Sequence, residues 1–198
     1  MLRRHGLPQT TRLGSRCASD LFVISCKPRH QVFARSDIYA EGQHPMIRSV
    51  TSTDIPELKA VIDGSGLFPS AMLDDMIAGF LSGEAKDEFW LTVDEAGPKA
   101  IAYYAPEPMT QGTWNLLLIA VHPDHQGKGH GTALIHYIEQ VLAVRGERML
   151  LVETSGLSSF ERTHAFYDKL GFGREARIRD YYNAGEDMIM FRKAIPAG

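Results

Sequence analysis

Residues 121–135 read Val-His-Pro-Asp-His-Gln-Gly-Lys-Gly-His-Gly-Thr-Ala-Leu-Ile, and no other stretch restricts the fold as strongly. An apolar run, 116–121, precedes it, and an amphipathic segment follows it as far as Val144. The implied order is a buried strand, a glycine-rich turn and a helix. Gly127, Gly129 and Gly131 stand at alternate positions, where missing side chains let a ligand lie against bare backbone. The first N–H groups of a helix have no partner within it, and the helix dipole adds about half a positive charge there. Such a turn is an anion site, most naturally for phosphate; a tight turn without a ligand is the other reading. Two phosphate loops are excluded. A Gly-x4-Gly-Lys-Ser/Thr loop fails because Gly129 follows Lys128. A Gly-x-Gly-x-x-Gly loop fails because its third glycine would fall on Thr132 or Leu134.

A second segment, 166–172, reads Phe-Tyr-Asp-Lys-Leu-Gly-Phe. Phe166 and Leu170 are four apart and share a helix face. Gly171 suits the left-handed position that ends a helix, and Phe172 opens the next strand. The Gln-x-x-Gly-x-Gly loop at 126–131 resembles the acyl-CoA loop of the GCN5-related N-acetyltransferase (GNAT) family. The Phe-Tyr-x-x-x-Gly-Phe element resembles that family's tyrosine motif. The two stand in the family's order, with room between them for a long helix and a strand. The resemblance covers 46 to about 193.

The 198 residues, 44% of them hydrophobic, suit one domain with a full core. No apolar run reaches the roughly 18 residues of a membrane helix, so no membrane association is expected. Residues 1–45 hold seven Lys/Arg and three Asp/Glu, a net of +4, which leaves −7 on 46–198. An acidic domain is a poor nucleic-acid binder and suits a cationic substrate. Cys17 and Cys26 both precede residue 46, so the domain uses neither disulfides nor thiolate chemistry. Residues 1–45 lack sustained periodicity and read as a disordered basic extension, with a transit peptide as the other reading. The expected location is cytoplasmic, or organellar if the extension is a transit peptide.

From Met46 the pattern gives a strand near 46–50 and a helix capped by Thr53 with Pro56 in its first turn. A second helix starts at Ser70 with Met72, Leu73, Met76, Ile77 and Phe80 on one side. Strands follow near 88–93, 99–105 and 113–121. A long helix near 129–145 buries Leu134, Ile135, Ile138, Val141 and Leu142. Then come a strand at 148–153, the helix holding Tyr167, and strands near 173–181 and 187–193. The resemblance implies an α/β (α+β) fold: a mixed, mostly antiparallel sheet of about seven strands with helices on both faces.

The resemblance also implies acetyl-CoA as co-substrate and a primary amine as acceptor. Gln126, Gly127, Lys128, Gly129, His130, Gly131 and Thr132 would wrap the pyrophosphate. Ile119, Ala120 and Val121 would pair edge-on with the pantetheine arm. Tyr167 is the candidate general acid, since a phenol of pKa about 10 can protonate a thiolate whose thiol has pKa about 8.5. Two positions depart from the family. Asn115 stands where some members place a glutamate base, and Phe160 where many carry Asn; Ser158, Ser159 or Thr163 are the candidate substitutes. Glu153 is the nearest candidate base, with water relay as the alternative. Asp180 and Tyr181 flank the last hairpin, a substrate-side element in the family. His122, His125, His130 and His136 fall on a loop and two helix faces by spacing, so no metal is expected. The leading reading is acetylation of a small-molecule amine. Acetylation of a peptide or protein N-terminus and a non-catalytic coenzyme A-binding module are the rivals, and a homodimer is compatible with either.

Overall fold

The computed structural model describes residues 46–196; the expectation for residues 1–45 lies outside them. The elements follow the expected order: β1 (Met46–Ser49), α1 (Ile55–Ser65), α2 (Leu73–Ser82), β2 (Phe89–Asp94), β3 (Pro98–Pro106), β4 (Thr113–Val121), α3 (His130–Val144), β5 (Met149–Ser155), α4 (Glu161–Lys169), β6 (Gly173–Asn183) and β7 (Glu186–Ala194). The seven strands form one sheet in the order β1-β2-β3-β4-β5-β7-β6. Every neighbouring pair is antiparallel except β4 with β5.

Each face of the sheet carries its own core. On one face α3 lays Leu134, Ile135, Ile138 and Leu142 against Leu91, Val93, Ala102, Leu116 and Val152. On the other, Leu58, Ile62, Leu73 and Ile77 of α1 and α2 cover Trp90, Ile101, Leu118 and Ala120. Side chains alternate faces along a strand, and β4 breaks that rule once. Trp114 and Leu116 belong to the α3 face, whereas Leu118 and Ala120, of the same parity, belong to the α1–α2 face. The cause is a bulge: Tyr104 pairs with Leu116 and Tyr103 with Leu118, leaving Leu117 without a partner on β3. Leu117 is consequently exposed.

Three local expectations are corrected. Helix α1 is entered through a short 3-10 turn, Ser52–Asp54, which Thr51 caps, and the cap position of α1 itself is Asp54 rather than Thr53. The Asp54 carboxylate accepts from the Thr51 N–H at 2.8 Å and its hydroxyl at 2.9 Å. Residues Ser70–Met72 form a 3-10 turn ahead of α2; Leu73 and Ile77 are buried but Met72 and Met76 are exposed, so the apolar stripe is narrower than the sequence suggests. Val141 of α3 is only half-buried.

Helix α4 is fastened from both ends. His164 Nε2 meets the Ser155 carbonyl at 2.9 Å, and Lys193 Nζ donates to the Leu170 carbonyl at 2.6 Å and to Glu139 at 2.5 Å. Gly171 adopts φ +79°, the left-handed turn its position calls for. Gly131 serves packing: a Cβ there would lie 3.3 Å from Phe166 Cζ.

Where β1 meets α1, Arg48 donates to both Asp54 carboxylate oxygens at 2.7 Å and to Asp94 at 2.7 Å. The guanidinium is the largest influence holding the Asp54 carboxyl down, at about 2 against its ordinary 3.8. A depressed folded-state value means stability that is complete above the unfolded value and lost as pH falls through the folded one. Asp54→Asn is therefore expected to lower the melting temperature at pH 7. The gap from the parent should close between pH about 4 and about 2, as followed by thermal denaturation across pH.

Candidate active site

The parallel pairing of β4 with β5 is short. It runs from Thr113 with Met149 to Leu116 with Val152 and stops. Beyond it β5 continues against β7 as far as Ser155, while β4 continues against β3 as far as Val121. The edge of β4 that faced β5 is thus left without a strand partner from Leu117 onward. Ile119, Ala120 and Val121 lie on this stretch, where an extended, amide-bearing chain can add as a strand would.

At the end of that edge the loop turns into α3. Gly127 and Gly129 adopt φ +76° and +89°, and a Cβ at either would meet nothing within 4 Å, so the loop's outer face is open. Gly129 is the residue before α3, and the Ala133 N–H already bonds its carbonyl. The N–H groups of His130, Gly131 and Thr132 are the first-turn donors. Desolvation, then Lys128 and Lys99, hold the His125 imidazole below its ordinary value. These lysines give the cradle a positive field. Lys99, on β3, carries no sequence signal that ties it to the loop. The Gln126 side chain, itself exposed, donates to the Val121 carbonyl at 3.2 Å and joins the loop to the end of β4.

Tyr167 is 2% exposed and lies in the core cluster that holds Leu116 and Val152, the last pair before the strands part. Its ring meets Phe166 and Phe172 edge-on, with centroids 5.2 and 5.4 Å away. Burial pushes its phenol well above the ordinary value, so it stays protonated at neutral pH.

On the other side of the parting lies a cavity of about 610 Å³, whose lining includes Glu88, Tyr103, Glu107, Asn115, Leu117 and Glu153. Asn115 is buried, and its amide nitrogen lies 3.3 Å from Glu107 Oε2 and 3.4 Å from Glu153 Oε1. The amide holds two carboxylates toward one point. Its own Oδ1 is buried without a hydrogen-bond partner. The two carboxylates converge where an ammonium group would be well satisfied. The sequence reading found Glu153 but not Glu107 or Glu88. The hairpin register held the signal for Glu107, whose N–H bonds the Thr113 carbonyl two residues before Asn115.

Asp180 and Tyr181 do not join the cavity lining. Asp180, at φ +53°, accepts from the Gly185 N–H at 2.6 Å and donates its own N–H to Asp187, so its carboxylate closes the hairpin. Tyr181 is exposed and stacks edge-on against Tyr182. Tyr182 is the hairpin residue near the acids: its phenol is raised, first by burial and then by Glu153. Ser158 and Phe160 bound a 3-10 turn ahead of α4, and Ser159 and Thr163 make no side-chain hydrogen bond to the described residues. Among the histidines, His125 and His130 come close to each other and to Glu95, from the turn between β2 and β3.

Comparison with known proteins matches this geometry. A family model described as an acetyltransferase (GNAT) domain matches residues 85–174, from the cavity rim through the tyrosine helix. The [ribosomal protein bS18]-alanine N-acetyltransferase of Escherichia coli K12 is 29% identical over 147 residues, 73% of this chain and 93% of that protein. A GNAT-family protein from Desulfovibrio desulfuricans superposes with a TM-score of 0.71 at 28% identity, covering 77% of this chain and all of that one. A Salmonella typhimurium structure holding acetyl-CoA superposes at 0.64, covering 79% and 96%; at 16% identity it speaks for the fold alone. The loop, the parted strands, the tyrosine helix and these matches agree: residues 85–174 carry a GNAT acetyltransferase domain, and the described residues have the fold of GNAT-family proteins.

Proposed function

We propose that this acetyltransferase moves the acetyl group of acetyl-CoA to a primary amine on a small cationic molecule. The observation that carries the choice is the acid-lined cavity beside the parted strands. Glu88, Glu107 and Glu153 line it together with Asn115. A second reading, acetylation of a peptide N-terminus, is favoured by the likeness to the bS18-alanine N-acetyltransferase.

The residues fit the co-substrate. The open glycine cradle and the α3 N-terminus, with Lys99 and Lys128, suit the pyrophosphate. The free edge of β4 suits the pantetheine amides. When bound, acetyl-CoA supplies an activated thioester. The protein positions the amine, removes its proton and protonates the departing sulfur. Glu153 is the base, with Asn115 fixing its direction and Glu107 completing the grip on the ammonium. Removing the proton matters because an ammonium has no lone pair with which to attack a carbonyl. The Tyr167 phenol, kept protonated by burial, is the acid. A β4 N–H on the edge left free beyond Leu116 would be the donor available to the carbonyl oxygen as charge develops there. This scheme uses no metal.

Gly129→Asp would place a strained side chain and a negative charge in the cradle. Calorimetry should show acetyl-CoA binding lost while circular dichroism remains that of the parent. Tyr167→Phe keeps the ring in its aromatic nest, and turnover at saturating substrate should fall by about 10²- to 10⁴-fold with little change in melting temperature. Glu153→Gln should cost about 10²-fold, with the loss reduced at high pH, where free amine is supplied by solution. The functional reading itself is tested by thiol release from acetyl-CoA against di- and polyamines, amino sugars and Ala-initiated peptides. Preference for the small cations supports it, and preference for peptides moves the assignment to the second reading.

A further inference from the structure

We propose that Glu95, His125 and His130 form a binding site for a divalent transition-metal ion of the zinc type, which staples the coenzyme loop to the turn between β2 and β3. One donor atom from each of the three lies within 4.8 Å of the others. His130 opens α3 and is 3% exposed, yet neither of its ring nitrogens has a hydrogen-bond partner. Its Nε2 is 3.6 Å from Glu95 Oε2, outside hydrogen-bonding distance. The buried Nδ1 of His125 is also without a partner. A buried polar atom without a partner destabilises the fold, and here three such atoms gather beside a carboxylate.

The donor set, two imidazoles and one carboxylate, is one that zinc accepts, with water completing four-coordination. Zinc bonds of about 2.0–2.2 Å place tetrahedral donors about 3.4 Å apart. The present cluster thus needs a contraction of about 1 Å, which falls to Glu95, whose side chain is 43% exposed, and to the half-buried His125 ahead of the loop, while His130 stays fixed. His125 and His130 bracket residues 126–129, so one ion would tie both ends of the loop to a third segment. Asn115 and Val121 are six residues apart along β4, about 20 Å. The ion at the phosphate end therefore has a structural role and no part in the transfer step. Lys99 and Lys128 act on His125 from nearby, and their charge weakens the hold on a cation.

The test uses the full chain, stripped with chelator and titrated with Co²⁺ and Zn²⁺ alone. One equivalent of Co²⁺ should produce the visible absorption of a four-coordinate ion, and Zn²⁺ should abolish it. By calorimetry, His125→Ala and Glu95→Gln should each weaken Zn²⁺ binding at least about tenfold. His136→Ala, on the exposed side of α3, should leave it unchanged. His130→Leu fills the same volume and should abolish binding; should it fail to fold, the other two variants decide. Absence of stoichiometric binding overturns the proposal and leaves the cluster a histidine–glutamate pair. Binding that survives both His125→Ala and Glu95→Gln also overturns it, and places the metal elsewhere, for example on Cys17 and Cys26.

Discussion

The parting of β4 from β5 governs the site. Two parallel strands that stayed paired would satisfy each other's backbone and leave no room for a ligand between them. Here the pairing ends with Leu116 and Val152. One strand then serves β7 while the other keeps β3 and presents a bare edge. The cost of that bare edge is met when an amide-bearing ligand completes it. Everything else at the site is placed relative to this gap: the glycine cradle at its far end, Tyr167 beneath its apex and the acid-lined cavity at its mouth.

The bulge at Leu117 is the local device that accompanies the parting. It inserts one residue immediately after the last β4–β5 pair and reverses which face each later residue of β4 occupies. Leu118 and Ala120 consequently serve the core under α1 and α2, while Leu116 serves the core under α3. The strand thereby changes allegiance between two hydrophobic cores at the point where it also changes from paired to free. A single extra residue couples the packing of the sheet to the opening of the site.

The order of elements was legible because each has strong periodicity and each turn its own punctuation, such as Gly66, Gly83 and Gly171 in left-handed conformations. The loop and the tyrosine motif were legible because their chemistry lies in contiguous residues. What escaped was whatever depends on distant segments meeting. Glu107 and Glu88 join Glu153 only through strand register. Lys99 reaches the loop from a neighbouring strand. Glu95 meets His125 and His130 across a turn, which histidine spacing alone could not show. Asp180 and Tyr181 were read from their place beside the hairpin, but the left-handed backbone at Asp180 turns its carboxylate to Gly185, and it is Tyr182 that approaches Glu153. The bulge itself leaves no mark in the composition of β4.

The contact between Gly131 and Phe166 makes the two sequence motifs one mechanical object. A glycine at 131 admits the Phe166 ring to within van der Waals distance of the first turn of α3, and the next residue in the chain is Tyr167. Any bulk added at 131 displaces Phe166, and with it the phenol one peptide away. Residues 131 and 166 are therefore free to vary only as a matched pair, a larger side chain at one demanding a smaller at the other. The placement of Tyr167 is inherited from the glycine loop that opens α3, so divergence is freer in the strands and turns around the cavity, where no such bond between motifs exists.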